Sequence, residues 1–88
     1  MKQFQYTVVD ELGLHARPAG LLVKLSQGFE SESTLTLART QKSASLKKLL
    51  AVMALGVKGG DSVSVTVEGA DEQVAAKAIE AWMQENLG

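Results

Sequence analysis

Residues 62–68 have the sequence SVSVTVE, with valine at every second position and serine, threonine or glutamate at the others. This alternation predicts a β-strand whose valines face a hydrophobic core while its polar residues face water. The turn-forming residues Gly59, Gly60 and Asp61 precede the stretch, and Gly69 follows it. Strands with one apolar face are typical of an antiparallel sheet that helices cover on one side only.

Two further segments alternate in the same manner, and a third is predicted as a short return strand. The first contains Phe4, Tyr6 and Val8, whose shared face we assign to the core. The second runs from Thr34 to Ala38, and the chain then turns into a short return strand around Ser43-Ala44. Together with residues 62–68, these segments predict a sheet of four strands.

Between the strands, the apolar residues recur at helical spacing. A first helix follows Pro18, which suits a first turn, and stops at Gly28; its apolar residues are Leu21, Leu22, Leu25 and Phe29. A short second helix has Ser45 as its N-cap and ends at Gly56; its apolar residues are Leu46, Leu49, Leu50, Val52, Met53 and Leu55. A third opens at Asp71 and Glu72; its buried stripe is Val74, Ala75, Ala78, Ile79, Trp82 and Met83. The order βαββαβα over residues 1–88 predicts one α+β domain.

Size and composition exclude several classes of function. A chain of 88 residues forms one core with no material for an enclosed active site, so any chemistry must lie on the surface and be completed by a partner. A net charge of −1 argues against nucleic acid or anionic lipid as partners. With no cysteine and one histidine, disulfides, thiol catalysis and a histidine-rich metal site are excluded. No signal region or long apolar run is present, so we expect an intracellular protein without membrane insertion.

The segment whose residues are best suited to carry out chemistry runs from Gly13 to Pro18, GLHARP, at the start of the first helix. The first backbone N–H groups of a helix, here at Ala16 and Arg17, lack internal partners and favour an anion. Arg17 adds a permanent charge with the planar geometry that suits phosphate. A neutral imidazole nitrogen of His15 is a nucleophile, so a phosphoryl group accepted there would meet groups that stabilise its charge.

Simpler interpretations of the same segment remain open. A lone exposed histidine near a helix start is more often a solvated or capping residue than a nucleophile. Ala16 and Arg17 could also bind an anion with no covalent step. Serine-histidine-aspartate catalysis is disfavoured, because no serine lies in a nucleophile elbow.

The second helix carries more apolar residues than one buried face needs. All of them could belong to the core. We expect instead that Leu49, Leu50 and Met53 stay partly exposed and form a surface for a protein partner. Lys47 and Lys48 flank this surface.

Three motifs together resemble the HPr family, the histidine-containing phosphocarriers of the bacterial phosphoenolpyruvate-dependent sugar phosphotransferase system. Residues 13–19, GLHARPA, are similar to the family's phosphorylation site. Residues 52–56, VMALG, resemble the end of its second helix, and residues 68–72, EGADE, the turn before its last helix. The motifs occur in the family's order and at its distances, so the resemblance covers the whole chain.

The resemblance implies an open-faced β-sandwich, with four antiparallel strands covered on one side by three helices. It also implies a monomeric cytoplasmic carrier, without a cofactor and without turnover of its own. Enzyme I would phosphorylate Nδ1 of His15, Arg17 would hold the phosphoryl oxygens, and IIA or IIB components would receive the group. Both partners would dock on a surface formed by Ala16, Ala19, Gly20, Leu49, Leu50 and Met53.

One position departs from the family's pattern. Many Gram-positive relatives carry a regulatory serine before the apolar pair of the second helix, and the alignment places Lys48 there. The residues needed for phosphorylation of the histidine are thus all present, whereas the serine needed for regulation by a kinase is not. A regulatory module, in which phosphorylation of His15 only signals to a protein partner, would present the same residues. RNA-recognition folds share this order of strands and helices, but RNA binding requires exposed aromatic residues and a basic surface. The net charge of −1 and the assignment of Phe4 and Tyr6 to the core argue against it.

Overall fold

The computed structural model describes all residues from Met1 to Gly88. The strands are β1 (Lys2–Thr7), β2 (Glu32–Leu37), β3 (Lys42–Ser45) and β4 (Ser62–Glu68). The helices are α1 (Ala16–Gln27), α2 (Leu49–Ala54) and α3 (Glu72–Asn86). The predicted order βαββαβα and the α+β class are confirmed.

The four strands form one antiparallel sheet in the order β1-β4-β2-β3, with β4 between β1 and β2. Val63, Val65 and Val67 of β4 are buried, whereas Ser62 and Glu68 are exposed. Val65 lies opposite Phe4 on one side and Leu35 on the other. The alternation of SVSVTVE therefore sets which face of the whole sheet is apolar.

The core lies between that face and the three helices. It contains 18 buried hydrophobic residues, and Phe4 and Tyr6 pack against it half-buried. The helices contribute Ala19, Leu22 and Val23 from α1, Val52 from α2, and Ala75, Ile79 and Met83 from α3. Burial of a side chain such as Leu22 or Ile79 contributes about 1.5–3 kcal/mol, so the helices are held mainly by this contact with the sheet.

The predicted buried stripe of the third helix is wrong at one position, and one apolar residue of the first helix faces solvent. Leu21 of α1 is 50% exposed and Val74 of α3 is 63% exposed, whereas Leu87, just beyond α3, is buried. In α3 the buried residues Ala75, Ile79 and Met83 follow one another at four-residue spacing. Val74 points about 100° away from that row and so faces solvent.

The predicted start of the second helix is also wrong. Ser45 is the last residue of β3, where it pairs with Thr34, and its hydroxyl accepts a hydrogen bond from the N–H of Lys47 (3.2 Å). The N–H of Leu46 donates to the carbonyl of Ser33 (2.8 Å), which extends the pairing between the strands and buries Leu46 completely. The helix begins only at Leu49, with Lys48 as its N-cap.

The carboxylate of Asp71 joins the start of α3 to the connection between α1 and β2. It accepts hydrogen bonds from the backbone N–H groups of Glu30 (2.9 Å) and Ser31 (2.9 Å), and from the Ser31 hydroxyl. These bonds, led by that from the Ser31 hydroxyl, favour the ionised form and hold the pKa of Asp71 below its ordinary value. The sequence indicated only that the charge of Asp71 is favourable at a helix start. Its hydrogen bonds to Glu30 and Ser31 were not predicted.

We expect Asp71→Asn to be less stable than the wild type at neutral pH, because an amide cannot accept all three bonds. The folded pKa lies below the unfolded one, so the stabilisation is complete above the unfolded pKa of about 3.9. It is lost as the pH falls through the folded pKa. The stability difference between wild type and variant, measured by urea denaturation at a series of pH values, should narrow on acidification. Glu85→Gln, at an exposed residue of α3, is the control. A difference of constant size would contradict the assignment.

Candidate functional site

His15 is the N-cap residue of α1, with an extended backbone at φ −82° and ψ −173°. Its carbonyl accepts the hydrogen bond from the N–H of Ala19 (2.9 Å), but its imidazole makes no capping bond and is exposed to solvent. The capping interpretation of His15 is therefore wrong. Its ring faces water, as a group that reacts with a partner must.

The start of α1 presents two free backbone donors beside His15. Ala16 and Arg17 are the first helical residues, and neither N–H has an acceptor in the preceding turn. Pro18 has no N–H, and that of Ala19 is already bonded to the carbonyl of His15. The positive end of α1 is thus concentrated at Ala16 and Arg17, the residues of the predicted anion site.

His15 and Arg17 line the same shallow depression, which is open to solvent and has a volume of about 180 Å³. Its lining residues are Asp10, His15, Arg17, Pro18, Leu21 and Asn86. The guanidinium of Arg17 has no carboxylate within 4.0 Å, whereas Arg39 is paired with Asp61 at 3.2 Å. The donors of Arg17 are therefore available to an anion that enters the depression.

The loop before His15 is held by backbone contacts on two sides. The carbonyl of Leu87 accepts hydrogen bonds from the N–H groups of Val9 (2.8 Å) and Asp10 (3.0 Å). The N–H of Leu14 donates to the carbonyl of Val57 (3.1 Å), and Gly13, at φ +65°, lies against that carbonyl. The end of the chain and the loop before β4 thus fix the position of His15.

The loop before β4 is itself fixed by Asp61. Its carboxylate accepts bonds from Arg39 Nε (3.2 Å), Arg39 Nη2 (3.2 Å) and the N–H of Lys58 (2.9 Å). The bond from Arg39, followed by that from Lys58, lowers the pKa of Asp61. This ion pair keeps residues 57–61 in the conformation against which Gly13 packs.

An apolar surface lies on α1 and α2. We define the docking patch as Ala16, Gly20, Leu21, Leu49, Leu50 and Met53. Leu50 is 81% exposed, and Leu49 and Met53 are each about 40% exposed. A Cβ atom added at Gly20 would meet nothing within 4 Å, so the helix surface is open there.

Two residues change the predicted docking surface. Ala19 is completely buried beneath α1, so its predicted contact with a partner is wrong and we remove it. Leu21, an apolar residue of α1 that was not part of the predicted docking surface, is half exposed and lines the His15 depression. The signal was present in the sequence, because Leu21 follows Arg17 by four residues and therefore lies on the same face of α1.

The two lysines beside the patch have different surroundings. Lys47 Nζ donates to the carbonyl of Phe29 (2.9 Å), and the carbonyl of Lys47 accepts a bond from Gln27 (3.0 Å). Lys48 is exposed at the N-cap of α2, and its ammonium forms no hydrogen bond or ion pair within the chain. Only Lys48 is thus available to an acidic partner. The structure contains no group of three or more His, Asp or Glu side chains that could hold a metal ion.

The family model described as "PTS HPr component phosphorylation site" matches residues 2–85. The chain belongs to the HPr family. It is 41% identical over 85 residues to the phosphocarrier protein HPr of Lysinibacillus sphaericus, with coverage of 97% of this chain and 94% of the relative. It is 36% identical over 86 residues to that of Mycoplasma genitalium, with coverage of 98% and 97%.

A solved structure of a histidine-containing phosphocarrier protein of Mycoplasma superimposes with a TM-score of 0.92 at 32% identity. The match covers 98% of this chain and 96% of that one. The predicted family and the open-faced sandwich are thereby confirmed. HPr proteins are phosphocarriers of the phosphotransferase system. No helix of this chain combines the length and the apolar character needed to cross a bilayer.

Proposed function

We propose that His15 accepts a phosphoryl group from phospho-enzyme I and passes it to sugar-specific IIA or IIB components in the cytoplasm. The observation that carries this proposal is the shared depression, where the exposed imidazole of His15 lies beside the unpaired guanidinium of Arg17. Nucleophile and anion donors are therefore already assembled on one chain, and a monomer suffices.

In the accepting step, the lone pair of His15 Nδ1 attacks phosphorus while the P–N bond of the donor histidine breaks. The electron pair of that bond returns to the donor nitrogen, so one P–N bond replaces another and no proton is gained or lost. The phosphoryl group brings about two negative charges. Arg17 and the N–H groups of Ala16 and Arg17 stabilise this charge during the transfer. In the donating step, a nucleophilic side chain of the IIA or IIB component attacks phosphorus. The P–N bond to His15 breaks, and its electron pair returns to Nδ1 of His15.

The docking patch would bring each partner to His15. Its leucines and Met53 supply apolar area beside the reacting group, and Lys48 supplies a positive charge at the edge. Such a patch suits a partner whose apolar surface is rimmed by acidic residues. Because Lys48 occupies the regulatory serine position, we expect no control by a serine kinase there.

The test is to incubate the purified chain with enzyme I and phosphoenolpyruvate, and then measure the intact mass. We expect a gain of one phosphate that is lost in acid and retained in base, as for a phosphoramidate. No gain, or an acid-stable phosphate, would overturn the proposal. Addition of a IIA component should return the mass to its starting value.

We expect Leu50→Glu to weaken docking without unfolding the protein. Leu50 is 81% exposed, so a carboxylate there stays in water and costs little stability. At an apolar interface the same charge must be desolvated, which should lower kcat/KM for phosphorylation by enzyme I at least about tenfold. The measurement is the initial rate of phosphorylation at carrier concentrations below KM.

Val74→Glu is the matched control, because Val74 is also an exposed apolar residue of a helix. It lies near the start of α3, about 18 Å along the helix axis from Asn86 at the depression. Its rate should stay within about twofold of the wild type. Equal losses in both variants would indicate an effect of net charge and would remove Leu50 from the docking patch.

A further inference from the structure

Asp10 places a carboxylate on the wall of the depression that His15 and Arg17 share. Its conformation is fixed by the turn in which it lies. Oδ1 accepts a bond from the N–H of Leu12 (2.9 Å), and the backbone carbonyl of Asp10 accepts one from Gly13 (2.9 Å). Its N–H donates to the carbonyl of Leu87 (3.0 Å). Asp10 is therefore held beside the reacting group by backbone contacts on both sides.

This carboxylate does not neutralise Arg17, because no oxygen of Asp10 lies within 4.0 Å of the guanidinium. No hydrogen bond to its second oxygen, Oδ2, is formed within the chain. The depression thus contains one cation that attracts a phosphoryl group and one anion that repels it. The Debye length is about 8 Å at physiological ionic strength, so charges around so small a depression are only partly screened from each other.

We propose that Asp10 raises the phosphoryl-transfer potential of His15 by repelling the phosphoryl dianion. The proposal rests on the proposed function, since it concerns the phosphorylated form of His15. Arg17 and the donors of α1 stabilise that form, and alone they would make the carrier a better acceptor than donor. Asp10 offsets part of this stabilisation, which lets the group leave as readily as it arrives.

The test is a competition at equilibrium between the wild type and Asp10→Asn, one of them carrying a mass tag. Equal amounts are mixed with a trace of enzyme I and a limiting quantity of phosphoenolpyruvate, and intact mass gives the phosphorylated fraction of each. Enzyme I moves the phosphoryl group between the two carriers by breaking one P–N bond as it forms another. The final ratio therefore reports transfer potential alone and does not depend on the docking rate. Asn can still accept the bond from Leu12, so the turn is retained, which a melting curve checks.

Coulomb repulsion between the Asp10 carboxylate and the phosphoryl dianion, reduced by screening, predicts that Asp10→Asn holds about two- to sixfold more phosphate than the wild type at low salt. The excess should shrink as ionic strength rises. The control is Glu68→Gln, which makes the same change in net charge at the far end of β4, about 20 Å from Ser62 along the strand. It should share the phosphate equally with the wild type.

Equal phosphorylation of Asp10→Asn and wild type would overturn the proposal, as would an equal excess in Glu68→Gln. A smaller phosphorylated fraction in Asp10→Asn would also overturn it, and would mean that Asp10 orients Arg17 for phosphate binding. The failure of the proposed function looks different. In that case neither carrier gains acid-labile phosphate at any salt concentration, and this proposal falls with it.

Discussion

His15→Ala should accept no phosphoryl group from enzyme I while keeping its fold and stability. The imidazole is exposed and caps nothing, and the bond that His15 makes to Ala19 comes from its backbone carbonyl. Alanine keeps that carbonyl, so the free energy of unfolding should change by less than about 0.5 kcal/mol. Arg17 and the start of α1 remain in place. We therefore expect the variant to lack only the nucleophile, with the rest of the site unchanged.

The measurement is intact mass after incubation with enzyme I and phosphoenolpyruvate, with a melting curve as the control for folding. The chain contains one histidine, so no other residue can carry a phosphohistidine. Acid-labile phosphate on His15→Ala would show that the acceptor is another residue. A large fall in melting temperature would show instead that the imidazole supports the fold.

The order of elements was predictable because it depends on spacing within short segments. The period of two in residues 62–68 and the period near 3.6 in α1 and α3 are local properties of the sequence. The predicted elements are wrong where a tertiary contact determines the conformation of the chain. Pairing of Ser45 with Thr34 kept the chain extended and delayed the start of α2 to Leu49, and no local pattern indicates that pairing.

The candidate site was predictable only in its contiguous part. His15, Arg17 and the start of α1 lie within one motif, and the structure places both side chains at the same depression. Asp10 and Asn86 join them because the carbonyl of Leu87 binds the backbone of Val9 and Asp10. These two hydrogen bonds join segments from opposite ends of the chain, so the residues that line the depression could not be predicted from the sequence of either segment alone.

The docking patch was likewise predictable from the sequence only in part. The exposure of Leu49, Leu50 and Met53 was predictable, because their short helix carries more apolar residues than one buried face needs. Ala19 and Leu21 are separated by only two positions in α1, yet one is completely buried and the other is half exposed. The apolar character of both residues gave no distinction, and only the four-residue spacing of Leu21 from Arg17 indicated that it shares the exposed face of α1.

Gly13→Ala should destabilise the protein by about 2–4 kcal/mol and also slow phosphorylation of His15. The φ angle of +65° is strained for alanine. In addition, an added Cβ would lie 2.3 Å from the carbonyl oxygen of Val57 and 2.5 Å from the Cα of Lys58. Both atoms belong to the backbone, so the two loops must separate, and the bond from Leu14 to Val57 is strained or broken. Because His15 follows Leu14 directly, its position relative to Arg17 and the depression should change as well.

Gly56→Ala separates the two causes, because Gly56 has a similar φ of +70° but open space where its Cβ would be. It should cost only the conformational strain, about 1 kcal/mol, and leave the phosphorylation of His15 by saturating enzyme I unchanged. Urea denaturation gives the stability of both variants, and the phosphorylation rate gives the effect on the site. The excess cost in Gly13→Ala measures the close approach of the two loops. Equal destabilisation of the two variants, with equal rates, would mean that contact with Val57 does not hold His15 in place.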